Sequence, residues 1–188
     1  MIDSIYAINN LSPAEKERIY KTLILHELFL RFQIDPDSLR GNAGERLVRM
    51  RCNSGLPFMR LELMRKLDDQ DPVFSLDLSD TRDQQIELSF IIINDLESER
   101  FNIDIDEEGR DTYFGTDRRN LKEETRAMKA GLAPAQVRKG LRMIGNFFPL
   151  MEEFVASLGK ELYMLQPLTY HGALLYERYG FGYLKGRK

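Results

Sequence analysis

The charged side chains are the residues of this sequence whose spacing could do chemistry. From Asp68 to Asp111 there are 15 acids against Arg82, Arg100 and Arg110, and from Arg118 to Arg142 eight bases against Glu123 and Glu124. The first stretch would draw a cation and the second an anion. Residues 1–110 carry a net charge of -8 and residues 111–188 a net +5, a division hidden by the overall -3. The same charges also suit the wet faces of a meander and a solvated helix. Other chemistries have little to work with. His26, His171 and Cys52 are the only soft ligands, too few for a zinc centre, so no metal is expected. Cys52 has no base placed to activate it, and no nucleophile motif supports a serine hydrolase. Gly41-Asn42-Ala43-Gly44 is too sparse for a phosphate loop. An acidic chain without a recognised binding motif predicts no nucleic-acid partner.

At 188 residues the chain is long enough for one domain with a real core. Its longest strongly apolar string, Phe90 to Ile93, is far short of the ~18 residues of a membrane span. A single cysteine and the lack of a basic-then-apolar leader predict a cytoplasmic protein with no membrane partner.

The elements that must position any site follow from periodicity. Residues 2–8 read as a short strand. Ser12-Pro13-Ala14-Glu15 reads as a helix start whose apolar face runs to Asp35-Pro36, and residues 37–50 as a poorer second helix, giving N-terminal helices over 12–50. The period then becomes two in Met59/Leu61/Leu63, Phe74/Leu76/Leu78, Ile86/Leu88/Phe90/Ile92 and Phe101/Ile103/Ile105, which predicts an antiparallel meander over 58–106. A charged helix over 117–130 falls in an inserted stretch, 110–133. Residues 134–184 then read as helix, strand, helix, strand. Gly145 and Pro149 either kink the long helix or mark a new one capped by Asn146, and Gly159 ends it. No repeat or linker divides the chain, so a single domain over 1–188 is expected.

The closing segment Gly172-Ala173-Leu174-Leu175-Tyr176-Glu177-Arg178-Tyr179-Gly180-Phe181, with this order of elements, resembles the GNAT superfamily of acyl-CoA N-acyltransferases. The resemblance implies an α+β fold with a mixed, mostly antiparallel sheet flanked by helices, GNAT-like in topology. In that family two parallel strands splay apart, and the pantetheine arm of the cofactor enters between them. Its pyrophosphate rests on the amides that open the long helix, where unpaired N–H groups and the helix dipole favour an anion. The family's phosphate loop, Gln/Arg-x-x-Gly-x-Gly/Ala, is degraded here. It fits either Val137 to Arg142 or Arg142 to Phe147, so Arg138, Lys139, Gly140, Arg142, Gly145 and Asn146 are the candidate cofactor residues. The ~30-residue connection after the meander is long for the family. A final strand is missing from the family pattern, and a second copy in a homodimer could supply that edge.

The implied reaction moves an acyl group, acetyl in the simplest case, from acetyl-CoA or another acyl-CoA to a small-molecule or peptide amine. Tyr176 is then the acid for the leaving thiolate. A backbone N–H in the strand around Phe101 to Ile105 would polarise the carbonyl. Asp104, Asp106 and Glu87 are the candidate bases, with Glu107 beside them. The rival expectation is a non-catalytic GNAT-like module that senses a ligand or binds a protein.

Overall fold

The computed structural model describes residues 2–113 and 117–184. They fall into two compact units, Met1–Asn94 with Gly140–Gln166, and Asp95–Lys139 with Pro167–Lys188. Among the described residues no helix is long and apolar enough to cross a membrane.

The first unit holds the sheet. Strands β1 (Val48–Arg51), β2 (Phe58–Leu63), β3 (Phe74–Asp80), β4 (Ile86–Ile93) and β5 (Tyr163–Leu165) stand in that order. Neighbours are antiparallel as far as β4, and β5 runs parallel to β4. This is an α+β architecture with a mixed, mostly antiparallel sheet flanked by helices. Alternation buries Met59, Leu61, Leu63, Leu76, Leu78, Ile86 and Leu88. Helix α5 (Ile144–Ser157) sets Phe147 against Phe74, with ring centroids 6.0 Å apart, and Phe154 against Tyr20 at 6.4 Å. Burying one such ring stabilises the fold by about 2–3 kcal/mol.

Several expected elements differ. Residues 2–8 are not a strand, because helix α1 (Ile5–Asn9) forms there. Ser4 caps it, and the Asp80 carboxylate at the end of β3 accepts from the Ile5 and Tyr6 amides, both at 2.8 Å. The helix after Ser12 keeps its capping box but breaks into α2 (Pro13–Tyr20), a 3-10 turn over Lys21–Leu23 and α3 (His26–Arg31), with Ile24 extended between them. Residues 37–50 are not helical. The Asp35 carboxylate accepts from the amides of Asp37 and Ser38, Leu39 adopts a left-handed φ of 58°, and the chain then enters β1. The long helix starts only at Ile144, so Pro149 sits in the second turn of one helix and Asn146 is not its cap. Gly159 does end it, in a left-handed turn where Gly159 and Lys160 N–H groups return to Ala156 and Val155.

The second unit carries helices α4 (Leu121–Lys129) and α6 (Tyr170–Arg178). Phe101 to Ile105 is not a fourth meander strand. Phe101 and Ile103 instead join Ala127, Leu132 and Val137 in a small separate core. Residues 180–184 form no strand; Gly180, at φ 91°, turns the chain out of α6.

One buried amide ties the N-terminal helices to the sheet. The Tyr20 hydroxyl donates to Asn9 Oδ1 at 2.7 Å, and Asn9 Nδ2 donates to the carbonyls of Leu56 and Phe58 at 2.7 and 2.9 Å. Asn9→Leu would strand all three partners, so we expect a loss of about 3 kcal/mol or more in urea unfolding, against about 1–2 for Tyr20→Phe. Equal losses from the two variants would show that the carbonyls find other donors.

Candidate functional site

The parallel pair is short and its end is built by a bulge. β4 pairs with β5 only at Ile86–Tyr163, Glu87–Met164 and Leu88–Leu165, closed by the Gln166 N–H to the Leu88 carbonyl at 3.3 Å. On the other side of β4 the register with β3 slips between Leu78–Leu88 and Asp77–Phe90, so Ser89 is an extra residue. A bulge of this kind changes which residues turn their backbone groups outward. Beyond it the Asn94 N–H reaches back to Val73 at 2.7 Å, while the Ile93 carbonyl faces outward and accepts from Leu141 at 2.9 Å. Alternation places the N–H and C=O of Ile91 on that same outward edge, past the end of β5. The expected strand around Phe101 to Ile105 is therefore not a member of the parallel pair: β5 lies beside β4, with Met164 opposite Glu87, and the strand that outruns β5 is β4.

The far side of this gap is closed by the chain entering α5. Gly140 bridges to Asn94, and a Cβ there would stand 3.2 Å from the Ile93 carbonyl, so glycine permits the approach. Arg142 adopts φ 60° and is exposed, and α5 opens two residues later without a side-chain cap or an acid in its first turn. Residues Val137 to Arg142 are not helical, so of the two phosphate-loop registers only Arg142 to Phe147 lies at a helix start. Asn146 is exposed, with its amide donating to Glu27 at 3.3 Å, and Gly145 is half-buried. Glu87 is half-buried between Ser79 and Met164.

The remaining candidates lie in the second unit. Arg138 donates to the Ser98 carbonyl at 2.7 Å, and the Lys139 backbone pairs with Asp95 and Ser98 while its side chain is exposed. Asp104 is bound by Arg100 at 2.6 Å. Asp106 is buried and closes a turn, accepting from the amides of Glu108 and Arg110 and from the Arg110 guanidinium. Tyr176 lies on the half-buried side of α6 with its ring edge against Phe181, centroids 6.0 Å apart, and burial raises the pKa of its phenol. Here the Gly180 and Phe181 N–H groups return to Glu177 and Tyr176, and Tyr176 packs on Phe181. The spacing Tyr-x-x-x-Gly-Phe thus encodes a helix stop with its hydrophobic contact.

Part of the basic stretch is engaged by carboxylates. Arg119 pairs with Glu124, and Arg126 with Glu123 and Glu99. A cavity of about 260 Å³ beside α4, lined by Ile103, Ala127, Met128 and Pro134, is below the usual size for a substrate pocket. Among the described residues no cluster of three or more His, Cys, Asp or Glu could hold a metal.

Compared with protein-family models, curated proteins and solved structures, the chain matches none.

Sequence reasoning missed the bulge at Ser89, because Phe90 to Ile93 are all apolar and continue both phases of the alternation, so no slip shows in the sequence.

Burial is the largest influence on Asp106 and would raise its pKa, but the Arg110 amide and guanidinium and the Glu108 amide outweigh it. They hold the carboxyl below its ordinary 3.8. The unfolded chain therefore takes the proton first, so this turn is stabilised above that value and loosens as pH falls through the lower folded one. An NMR titration should show the Glu108 and Arg110 amides moving together only in strong acid. Movement near pH 5 would contradict this.

Proposed function

We propose that the protein is a GNAT-like N-acyltransferase that moves an acyl group from an acyl-CoA to an amine. The observation that carries this reading is the gap in the first unit, where β4 outruns β5 and Gly140–Leu141 closes its far end ahead of an uncapped helix. Such a gap suits a pantetheine arm, because its amides can pair with an outward-facing strand edge as a β-strand would. The first-turn amides of α5, with Arg142 beside them, suit the pyrophosphate.

In this reading acyl-CoA is a co-substrate, and the C–N bond forms at the thioester carbonyl as the C–S bond breaks. An outward backbone N–H on β4, that of Ile91, takes over the polarising role first expected near Phe101 to Ile105. Glu87 is the favoured base among the three carboxylates, because Asp104 and Asp106 are already engaged by arginines. The amine proton passes to it through water. Tyr176 as acid for the thiolate comes from the motif alone. A raised pKa suits that role, since the phenol stays protonated at neutral pH. Lys139 and Arg138 are weaker cofactor candidates than Arg142, Gly140, Gly145 and Asn146.

Calorimetry with acetyl-CoA and longer acyl-CoAs tests the reading. We expect micromolar affinity, weakened about tenfold or more by Arg142→Glu, where a charge-assisted contact becomes a repulsion. Thiol release should require an amine acceptor. Tyr176→Phe should slow turnover about a hundredfold while leaving binding intact, as loss of a general acid does. No binding would overturn the proposal. Binding without turnover across a broad amine panel would favour the sensing module.

A further inference from the structure

The cavity beside α4 lies wholly within the second unit. Most of its wall is carbon. Ile103 and Ala127 come from the small core, Met128 from the exposed side of α4, and Ala133-Pro134-Ala135 from the segment that follows. Ala135 holds φ 67°, and the Gln136 N–H returns to the Ala133 carbonyl at 3.2 Å. This is a proline-led turn whose third residue is ordinarily glycine. An alanine there is strained, and strain of this kind gathers where a binding wall must hold one shape. Ala127, Ala133 and Ala135 also leave space that larger apolar side chains would have filled. The cavity measures about 260 Å³, whereas one of about 150 Å³ takes a benzene molecule. It therefore suits an apolar body of about ten non-hydrogen atoms.

Three polar side chains complete the wall. Arg119 donates to Glu124 from Nε at 3.1 Å and from Nη2, which leaves its Nη1 donors to spare. Both Glu124 oxygens are taken by that pair. Thr169 accepts from the Gly172 N–H at 3.1 Å and keeps its own O–H to give. The capacity left over is all donor, and carbon beside spare donors selects an apolar molecule with an acceptor head. We propose that this cavity binds a small apolar carboxylate, its head paired with Arg119 and its hydrocarbon against Ile103, Ala127 and Met128. Thr169 is the second donor. A guanidinium meets a carboxylate through charge-assisted bonds that a neutral amide does not match. An ammonium would have to displace Arg119 from Glu124 and would then face the spare donors. None of these residues belongs to the gap beside β4, so the site stands apart from the acyl-CoA reading.

An NMR titration of the full chain at neutral pH, with methionine and isoleucine methyls labelled, tests this. The probes are phenylpropionate, its amide and phenylpropylamine. We expect phenylpropionate to move the Met128 and Ile103 methyl signals with a dissociation constant of about a millimolar or tighter, as suits so small a ligand. The amide should bind at least about tenfold more weakly. Arg119→Gln should weaken the carboxylate about tenfold or more yet leave the amide unchanged, a split that general loss of structure would not produce. Ala133→Leu, which fills the space, should remove binding of both while the thermal melt holds or rises. No shift at either methyl would overturn the proposal. So would equal binding of acid and amide, tighter binding of the amine, or indifference to Arg119→Gln.

Discussion

The extra residue at Ser89 is the constraint on which the arrangement around β4 depends. A strand between two neighbours ordinarily alternates its backbone groups evenly, so a neighbour paired at one end can stay paired along its whole length. The bulge breaks that symmetry. It keeps β4 joined to β3 from Ile86 to Ile93, yet changes which residues face outward midway. β5 matches the first phase only, through Leu88. What lies beyond it meets a different partner, the Gly140–Leu141 segment.

Both ends of this gap are held by contacts far apart in sequence. Leu141 reaches Ile93 across a stretch that forms a separate compact unit, and α5 then packs Phe147, Phe148, Met151, Phe154 and Val155 into the core. At the far end of α5 the Lys160 ammonium donates to the Gln84 carbonyl in the turn between β3 and β4. The helix is thus fixed to the same hairpin that carries the bulge, and its N-terminus cannot drift from β4 without disturbing the core. Pro149 removes one helical hydrogen bond, a cost the surrounding aromatic packing must offset.

Much of this was legible in the sequence where a local rule acts alone. Alternation located β2, β3 and β4, and the capping box located α2. The failures share a cause. Asp80 stabilises α1 from 74 residues away or more, and nothing near Ile5 announces it. Phe101, Ile103 and Ile105 alternate as a strand would, but the first two fill a second, smaller core built with α4 instead. β1 was missed because Val48 to Arg51 has too few apolar residues to show a period, and its pairing with β2 decides its state. The closing motif was legible for a physical reason of its own, since tyrosine, glycine and phenylalanine at that spacing stop a helix. A motif that specifies structure so well says less about chemistry than it first suggests.

Charge was the least reliable guide of all. The sequence shows a basic stretch after an acidic one, and summing formal charges makes the first an anion site. Folding reorders that sum. Within the basic stretch Arg118, Arg119 and Arg126 each meet a carboxylate, and Arg138 is turned onto backbone carbonyls. An ion pair presents a dipole rather than a charge, and its attraction for a third ion falls off steeply with distance. An anion at the head of α5 would therefore depend less on the eight bases counted along the chain than on Arg142 and the helix amides. Those amides carry no formal charge and so are invisible to any count of residues. Their strength comes from being held in one direction, and it is the packing of α5 that holds them.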